Sequence, residues 1–367
     1  MSTARLSDIA SIVQGGRKKL TGFDFVDSGY PAFGAGGING YLSEYEFDRS
    51  AVVLSSIGAR CGKCFLAEGK WASLANTQLI LPDPKVADTR FLWYQLNDES
   101  RWHRSGTAQP FIKPSDVKTH NVYLPSIEEQ RRIASILDAA DALRTKRRQA
   151  QAKLNTLTQA IFFDMFGGMS GDPSLCSPLS ELVPPEDRIN YGVVQPGSDA
   201  IEGVPMIRVG DLIDGRVNHG TVKRIAADID AQYSRSRLVG DEILLSCVGS
   251  AGVVALASPK EEGWNIARAV ARIPLRKSIE RDYVAAFLSG PIAQRYFDNE
   301  LRTVSQPTLN IKQIKETPIP IPSTRDQADF AGRVQRVRQA QDFQRTSLEH
   351  LDALFASLQH RAFRGEL

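Results

Sequence analysis

Leu124-Pro125-Ser126-Ile127-Glu128-Glu129-Gln130 and Ile321-Pro322-Ser323-Thr324-Arg325-Asp326-Gln327 are two spellings of one element, 197 positions apart. Just upstream, Gln109-Pro110 and Gln306-Pro307 keep that displacement. One fixed displacement at separate places marks an internal duplication, and it outweighs any local secondary-structure signal.

Each element opens a long amphipathic stretch, with Ser126 or Ser323 as N-cap and an acidic side chain soon after it. Both stretches run about 40 residues. In the first, Ile133, Ile136, Ala140, Leu143, Ala150, Leu154, Leu157 and Ile161 follow alternating steps of three and four, interrupted by Arg147. That spacing predicts a coiled-coil seam. In the second, Phe330, Val337, Ala340, Leu351, Leu354 and Leu358 occupy equivalent positions, and Gln344 stands where Arg147 stood. An isolated helix of this length would also carry an apolar face, but that does not account for two stripes in register.

Between the helices lie segments of strand and turn character. Ala51-Val52-Val53-Leu54-Ser55-Ser56-Ile57-Gly58 resembles Glu242-Ile243-Leu244-Leu245-Ser246-Cys247-Val248-Gly249, and each reads as one arm of a hairpin. Gly62 and Gly252 close the two turns, and the apolar arms Cys64-Phe65-Leu66-Ala67 and Val253-Val254-Ala255-Leu256 follow. Here the displacement is 191, counted from Ser55 to Ser246; between Leu6-Ser7-Asp8-Ile9 and Leu179-Ser180-Glu181-Leu182 it is 173. Insertions therefore accumulate inside the strand-rich segments while the helices stay in step. A spacer must hold its length, whereas two readers of different targets must differ in their contact surfaces.

The composition fits a globular, multidomain chain. Of 367 residues, 42% are hydrophobic and 24% charged, enough for two or three cores and without a bias to disorder. Basic residues exceed acidic ones by only 45 to 42, so any basic surface must come from local arrangement. No run approaches the roughly 20 apolar residues that span a bilayer, and the N-terminal Met-Ser-Thr-Ala-Arg-Leu lacks a signal-peptide core. A cytoplasmic protein is expected. Cys61 and Cys64 form one CxxC while Cys176 and Cys247 stand alone, which suggests reduced thiols rather than a disulfide framework.

The order of these elements resembles the specificity subunits of type I restriction enzymes across essentially the whole chain. The local carriers of that resemblance are Pro205-Met206-Ile207-Arg208-Val209-Gly210-Asp211-Leu212, Gln109-Pro110-Phe111-Ile112, Gln306-Pro307-Thr308-Leu309-Asn310 and the two Leu/Ile-Pro-Ser elements. The first half shows no evident counterpart of Pro205–Leu212 and has instead Tyr30-Pro31-Ala32-Phe33-Gly34-Ala35-Gly36-Gly37-Ile38-Asn39-Gly40, which resembles a different subtype of recognition domain. The resemblance implies an α+β fold with a pseudo-twofold repeat, in which two strand-rich target-recognition domains are separated by two long antiparallel coiled-coil helices. The expected division is 1–123, first recognition domain; 124–168, first spacer helix; 169–320, second recognition domain; 321–367, second spacer helix.

The family's role, so implied, is to choose a bipartite, asymmetric site on double-stranded DNA without performing chemistry. No cofactor is expected on this chain. The helices would dock two modification subunits that carry S-adenosylmethionine and methylate adenine, and motor-nuclease restriction subunits would join afterwards. Helices of about 40 residues are roughly 60 Å long at 1.5 Å per residue, and duplex DNA repeats about every 34 to 36 Å. A paired-helix spacer would therefore act as a ruler between two half-sites.

In such a reader, phosphate contacts supply affinity and side chains reaching base edges supply discrimination. The candidates are cations and amides placed on loops. In the first head these are Arg17, Lys18 and Lys19 after a Gly pair, Asn39 in the glycine-rich loop, and Arg60 and Lys63 at the hairpin tip. In the second they are Arg208, Lys223, Arg224, Arg235, Arg237, Arg268 and Gln306. For any one of them, solvated surface charge is the plainer reading. The run Arg144, Lys146, Arg147, Arg148 on the first long helix suits a phosphate backbone or a partner-facing surface equally.

Catalytic readings find little footing. Gly58-Ala59-Arg60-Cys61-Gly62-Lys63-Cys64 is one residue short of a phosphate-binding loop and has Cys64 where magnesium needs a hydroxyl. The CxxC is half a zinc site with no second half. His103, His120, His219, His350 and His360 are scattered, without a GxSxG or HExxH frame. No Asn-Pro-Pro-aromatic motif of adenine methyltransferases occurs. The alternatives from other classes are a β-rich structural or adhesive repeat protein that does not bind DNA, and the DNA-binding portion of a fused restriction enzyme.

Overall fold

The computed structural model describes residues 2–16, 24–106, 108–169, 173–301 and 308–367. The chain divides into two compact units, Met1–Arg148 with Thr346–Leu367 and Gln149–Arg345. Each unit takes one half of each long helix and one strand-rich segment.

The first unit runs β1 (Thr3–Arg5), α1 (Leu6–Ile9), β2 (Ala10–Gln14), β3 (Tyr30–Gly34), β4 (Gly37–Leu42), β5 (Phe47–Asp48) and β6 (Ala51–Ser55). It continues with β7 (Cys64–Ala67), β8 (Lys70–Ser73), β9 (Thr77–Pro82), α2 (Thr89–Leu96), α3 (Pro114–Thr119) and β10 (Asn121–Tyr123). Then α4 (Ile127–Phe166) begins, and it ends in the second unit. One sheet has the order β2-β9-β6-β7, antiparallel throughout, and a second the order β4-β3-β8-β5. Every residue of β6 and β9 is buried. Their near-continuous apolar runs are what a strand covered on both faces requires.

The second unit contains β11 (Cys176–Pro178), β12 (Asn190–Tyr191), β13 (Val204–Ile207), β14 (Leu212–Ile213), β15 (Arg216–Val217), β16 (Lys223–Ile225) and α5 (Ala227–Gln232). After these come β17 (Ile243–Ser246), β18 (Val254–Leu256), β19 (Asn265–Ile266), β20 (Val270–Ile273), α6 (Arg281–Ser289) and α7 (Pro291–Leu301). The last elements are α8 (Ile311–Glu316), β21 (Pro318–Pro320) and α9 (Thr324–Ala362). Its larger sheet has the order β12-β20-β17-β18-β15-β14, beside a smaller sheet β16-β13-β19.

The repeat is carried through the topology. The hairpin β6–β7, with strand β9 beside β6, has its counterpart in the hairpin β17–β18 with β20 beside β17. The small ribbons β1–β10 and β11–β21 correspond as well. The first half has no Pro205–Leu212 motif, yet the strand pairing gives the two segments one position in common. Tyr30–Gly34 lies parallel to β8, Ala32 opposite Ala72, just as β13 lies parallel to β19, Met206 opposite Asn265. Pro31 and Pro205 thus occupy matching strands, although β3 pairs on its other side with the adjoining β4 and β13 with the distant β16.

Both long helices are unbroken, with 40 and 39 residues. Ser126 Oγ accepts from the Glu129 N–H at 3.3 Å and Ser323 Oγ from the Asp326 N–H at 3.2 Å, so each start is set by its N-cap. Within each unit the helix halves run antiparallel. In the first, Arg144 Nε donates to Asp352 Oδ1 at 2.5 Å and Arg132 reaches the Leu367 carbonyl at 3.4 Å. In the second, Gln341 Nε2 donates to Asn155 Oδ1 at 3.1 Å, and the rings of Phe162 and Phe330 lie 5.7 Å apart.

The seam departs from the expected heptad. Ile133 and Phe330 are buried, as are Leu137 and Val334, and Val337 is 6% exposed. Ile161 and Leu358 pack against the cores of their units, while Ile136, Ala140, Leu154 and Leu351 are half-buried. Leu143, Leu157 and Leu354, however, are 53%, 39% and 51% exposed. The inward stripe passes instead through Leu137, Arg144, Gln151, Thr158 and Phe162. Its polar middle is held by ion pairs, and the Arg144 guanidinium also lies 4.2 Å over the Phe355 ring.

Candidate nucleic-acid interface

The most regular feature shared by the two units is the way a hairpin turn is braced. In the first, the turn after β6 is held by Gln109–Ile112: the Gly58 N–H donates to the Pro110 carbonyl, and the Ile112 N–H to the Ser56 carbonyl, both at 2.9 Å. In the second, the Leu309 N–H donates to the Cys247 carbonyl at 2.9 Å, and Val248 bridges Thr308. Ile57 bridges Phe111 in the same manner. Pro110–Ile112 in the first unit and Thr308–Leu309 in the second therefore hold the two hairpin turns. Gly252 turns with φ +90°, and an added Cβ there would meet the Gln294 amide, whose Nε2 donates to the Gly252 carbonyl at 2.8 Å.

The side chains at these tips are unlike. The first tip carries Arg60, exposed, and Lys63, half-buried; Arg60 Nη1 donates to the Gly36 carbonyl at 2.9 Å. Arg60 so ties the tip to the β3–β4 turn, next to which Asn39 is exposed. Phe111, Ile38 and Tyr41 stand 36%, 53% and 41% exposed in this unit. The second tip has no cation: Val248 is 40% exposed, and Ser246 Oγ holds the turn by accepting from the Val253 N–H at 2.7 Å. Arg268 is exposed on the neighbouring loop, where its N–H donates to the Val193 carbonyl at 2.8 Å. Nearby, burial pushes the Tyr191 phenol up to about 12, and its OH donates to the Leu309 carbonyl at 2.7 Å.

The cations expected to read DNA divide into two kinds. Arg208 is committed to the protein: Nε and Nη2 donate to the two oxygens of Asp211, each at 3.2 Å, and Nη2 to the Thr221 carbonyl at 2.6 Å. Burial alone would raise the Asp211 carboxyl, but hydrogen bonds from Arg208 and Thr221 outweigh it and hold the group below the ordinary range. Arg237 likewise forks onto the buried Asp230, at 2.8 Å from Nε. Arg224 Nη1 donates to the Gly203 carbonyl at 2.7 Å. These three hold loops in place, because an arginine beside a buried carboxylate or carbonyl finds its counter-group within the fold. Lys223, Arg235 and Arg268 are exposed and enter no ion pair among the described residues. Arg17, Lys18, Lys19 and Gln306 lie outside the described residues.

On α4, Arg144 and Arg148 both pair with Asp352, the latter at 3.0 Å, so half of the basic run faces the partner helix. The CxxC is buried, with Cys61 Sγ 3.4 Å from the Ser56 carbonyl and Cys64 Sγ 3.3 Å from the Leu96 carbonyl, and burial pushes both thiols up. The sequence reading named neither Phe111 nor Val248 as a contact, two exposed apolar groups at the braced turns. The matched Gln-Pro spacing in the sequence was the signal that points to both.

The sequence model of the type I restriction modification DNA specificity domain matches residues 1–156 and again residues 196–352. The chain belongs to that family. The specificity subunit of the Escherichia coli type I restriction enzyme EcoBI is 27% identical over 333 residues, which is 89% of this chain and 64% of that protein. The EcoKI specificity subunit of E. coli K12 is 23% identical, over 70% of this chain and 60% of that one. The chain thus spans less than two thirds of those relatives. The MjaVIII specificity subunit of Methanocaldococcus jannaschii is 21% identical over 84% of this chain and 77% of that one.

Among solved structures, the type I restriction-modification S subunit from M. genitalium aligns over 99% of this chain and 96% of that chain, with a TM-score of 0.61 at 19% identity. A chain from a structure describing assembly and conformational transition of a type I system aligns over 100% and 98%, with a TM-score of 0.54 at 17% identity. These likenesses carry the fold: paired strand-rich domains with two long helices. As a member of this family the chain carries the DNA specificity domain twice. No helix among the described residues is long and apolar enough to cross a membrane.

Proposed function

We propose that the chain reads a bipartite, asymmetric site on double-stranded DNA, one half-site with each strand-rich segment, and organises the subunits that act on it. The observation that carries this reading is the repeat of one braced hairpin with different side chains at its tip: Arg60 and Lys63 in the first unit, Val248 and Ser250 in the second. A duplicated scaffold with unlike tips suits two half-sites of unlike sequence. Base contacts would come from Asn39 and the tip residues, and phosphate contacts from Lys223, Arg235 and Arg268.

The paired helices would set the half-site spacing and receive two modification subunits, on which S-adenosylmethionine would bind; restriction subunits would join that complex. Exposed apolar side chains on the helices support the docking role, Leu143 and Leu354 in the first unit and Leu157 and Phe163, 75% exposed, in the second. Large apolar groups left in water on a charged helix mark interaction surfaces. No observation favours a structural or adhesive repeat protein.

The test is methyl transfer. The chain mixed with its cognate modification subunit is expected to direct methylation to one split motif in random DNA, and neither component alone should do so. Methylation without this chain, or none with both present, contradicts the reading.

A further inference from the structure

Three adjoining chambers of one cleft in the second unit, of about 230, 460 and 360 Å³, all open onto Arg216. The largest is lined by the guanidinium groups of Arg216, Arg281, Arg338 and Arg345 and the ammonium of Lys260, against the carboxylates of Asp342 and Glu261 alone. Both carboxylates are engaged. Asp342 is shared between Arg216 and Arg345. Glu261 accepts from the N–H and Oγ of Ser258 and bonds His219. From the next chamber Asp282 pairs with Arg338 at 2.5 Å.

Arg281 and Lys260 enter no ion pair among the described residues, and the further carboxylate of the cleft, Asp214, lines the two smaller chambers and not the largest. Arg281 Nη1 donates to the Ala257 carbonyl at 2.9 Å, which orients the guanidinium without neutralising it. Lys260 is exposed. Converging like charges repel, and the repulsion is relieved when an anion with several oxygens sits among them. Guanidinium forks match the oxygens of phosphate, and the amides of Asn155 and Gln341 line the adjoining chambers. No Phe, Tyr or Trp lines any of the three, so the cleft offers no stacking platform for a base.

We propose that this cleft is a phosphate-binding site separate from the base-reading tips. Its ligand is a phosphate-bearing anion, either a free polyphosphate or the backbone of duplex DNA. The site stands whether or not the chain reads bases.

Calorimetric titration of the full chain with tripolyphosphate, and anisotropy titration with a labelled random-sequence duplex at several salt concentrations, distinguish the two sources. The variants are Lys260→Glu, Arg281→Gln and, as a control outside the cleft, Lys277→Glu. Lys260→Glu breaks no described bond, so it keeps the test valid if Arg281→Gln fails to fold. The expected result is a loss of at least tenfold in affinity for the true ligand in both cleft variants, with the control unchanged. If tripolyphosphate binds and is lost in the variants, the ligand is free phosphate. If only the duplex is affected, with the salt slope lowered by about one, it is the DNA backbone. If wild-type chain binds neither anion, or if both bind equally well to Lys260→Glu, or if the control loses as much as the cleft variants, the proposal is overturned.

Discussion

Gln130 and Gln327, 197 positions apart, make the same buried junction in the two units. Each Oε1 accepts from the backbone N–H that caps a packed helix, Asp88 before α2 at 2.8 Å and Glu280 before α6 at 3.1 Å. Each Nε2 donates to the carbonyl five residues earlier, Pro125 at 2.9 Å and Pro322 at 3.0 Å. A long helix is thereby tied at its first turn to the helix that covers the sheet. The rings that close the far side match as well: Phe363 lies 5.5 Å from Phe91, and Phe166 lies 5.0 Å from Tyr283.

Replacing either glutamine by methionine keeps the volume and takes their partner from one backbone N–H and from the carbonyls of Val86 and Pro125 in the first unit or that of Pro322 in the second. Stranded buried polar groups cost about 1–3 kcal/mol. Gln130→Met and Gln327→Met are each expected to lower unfolding free energy by about 2 kcal/mol in urea titrations. A change in one with none in the other would count against the equivalence of the two junctions.

The two kinds of arginine should separate in experiment. Arg208→Ala leaves the buried Asp211 carboxylate with only the residue 208 N–H and the Thr221 hydroxyl as donors, and losing the charged donor costs about 1.5–3 kcal/mol. Arg268→Ala removes an exposed cation with no ion pair, so thermal stability should hold while DNA affinity of the assembled complex falls and the salt slope drops by about one. Equal thermal stability in both variants would refute the distinction.

Arg272 is buried between Glu242, 2.7 Å from Nε, and Asp187, 2.7 Å from Nη2. Its hydrogen bond is the largest cause that holds the Asp187 carboxyl below the usual range. A carboxylate with a depressed folded pKa stabilises above its unfolded value, near 3.9, and that contribution is lost as pH falls through the folded value. Stability of the second unit should therefore decline below about pH 4, and Asp187→Asn should flatten that part of the curve. An unchanged acid limb in Asp187→Asn would remove this pair from the account.

The duplication, the N-caps and the hairpins were legible because each depends on residues close in sequence, repeated in the same order in both halves. The inward stripe of the helices was misplaced at Leu143, Leu157 and Leu354, because Arg144, Thr158 and Phe355, one position on, face inward there and a template of aliphatic residues passes over the polar members of the stripe. Tyr30–Gly34 and Val204–Ile207 share a strand position that only sheet pairing discloses, since the side chains there differ. Arg208 and Arg237 looked like free cations because Asp211 and Asp230 give no sign in the sequence of being buried. The cationic cleft was invisible for a related reason: β15, the loop after β18, α6 and α9 each supply part of it.

The central claim is that two unlike tips on one repeated scaffold read two unlike half-sites. Methylome sequencing of cells expressing this chain with its modification subunit, before and after Val248→Ala combined with Ser250→Ala, tests it most directly. The account predicts one split motif whose second half changes while its first half and its spacing persist. An undivided motif, or a motif indifferent to both substitutions, would contradict it.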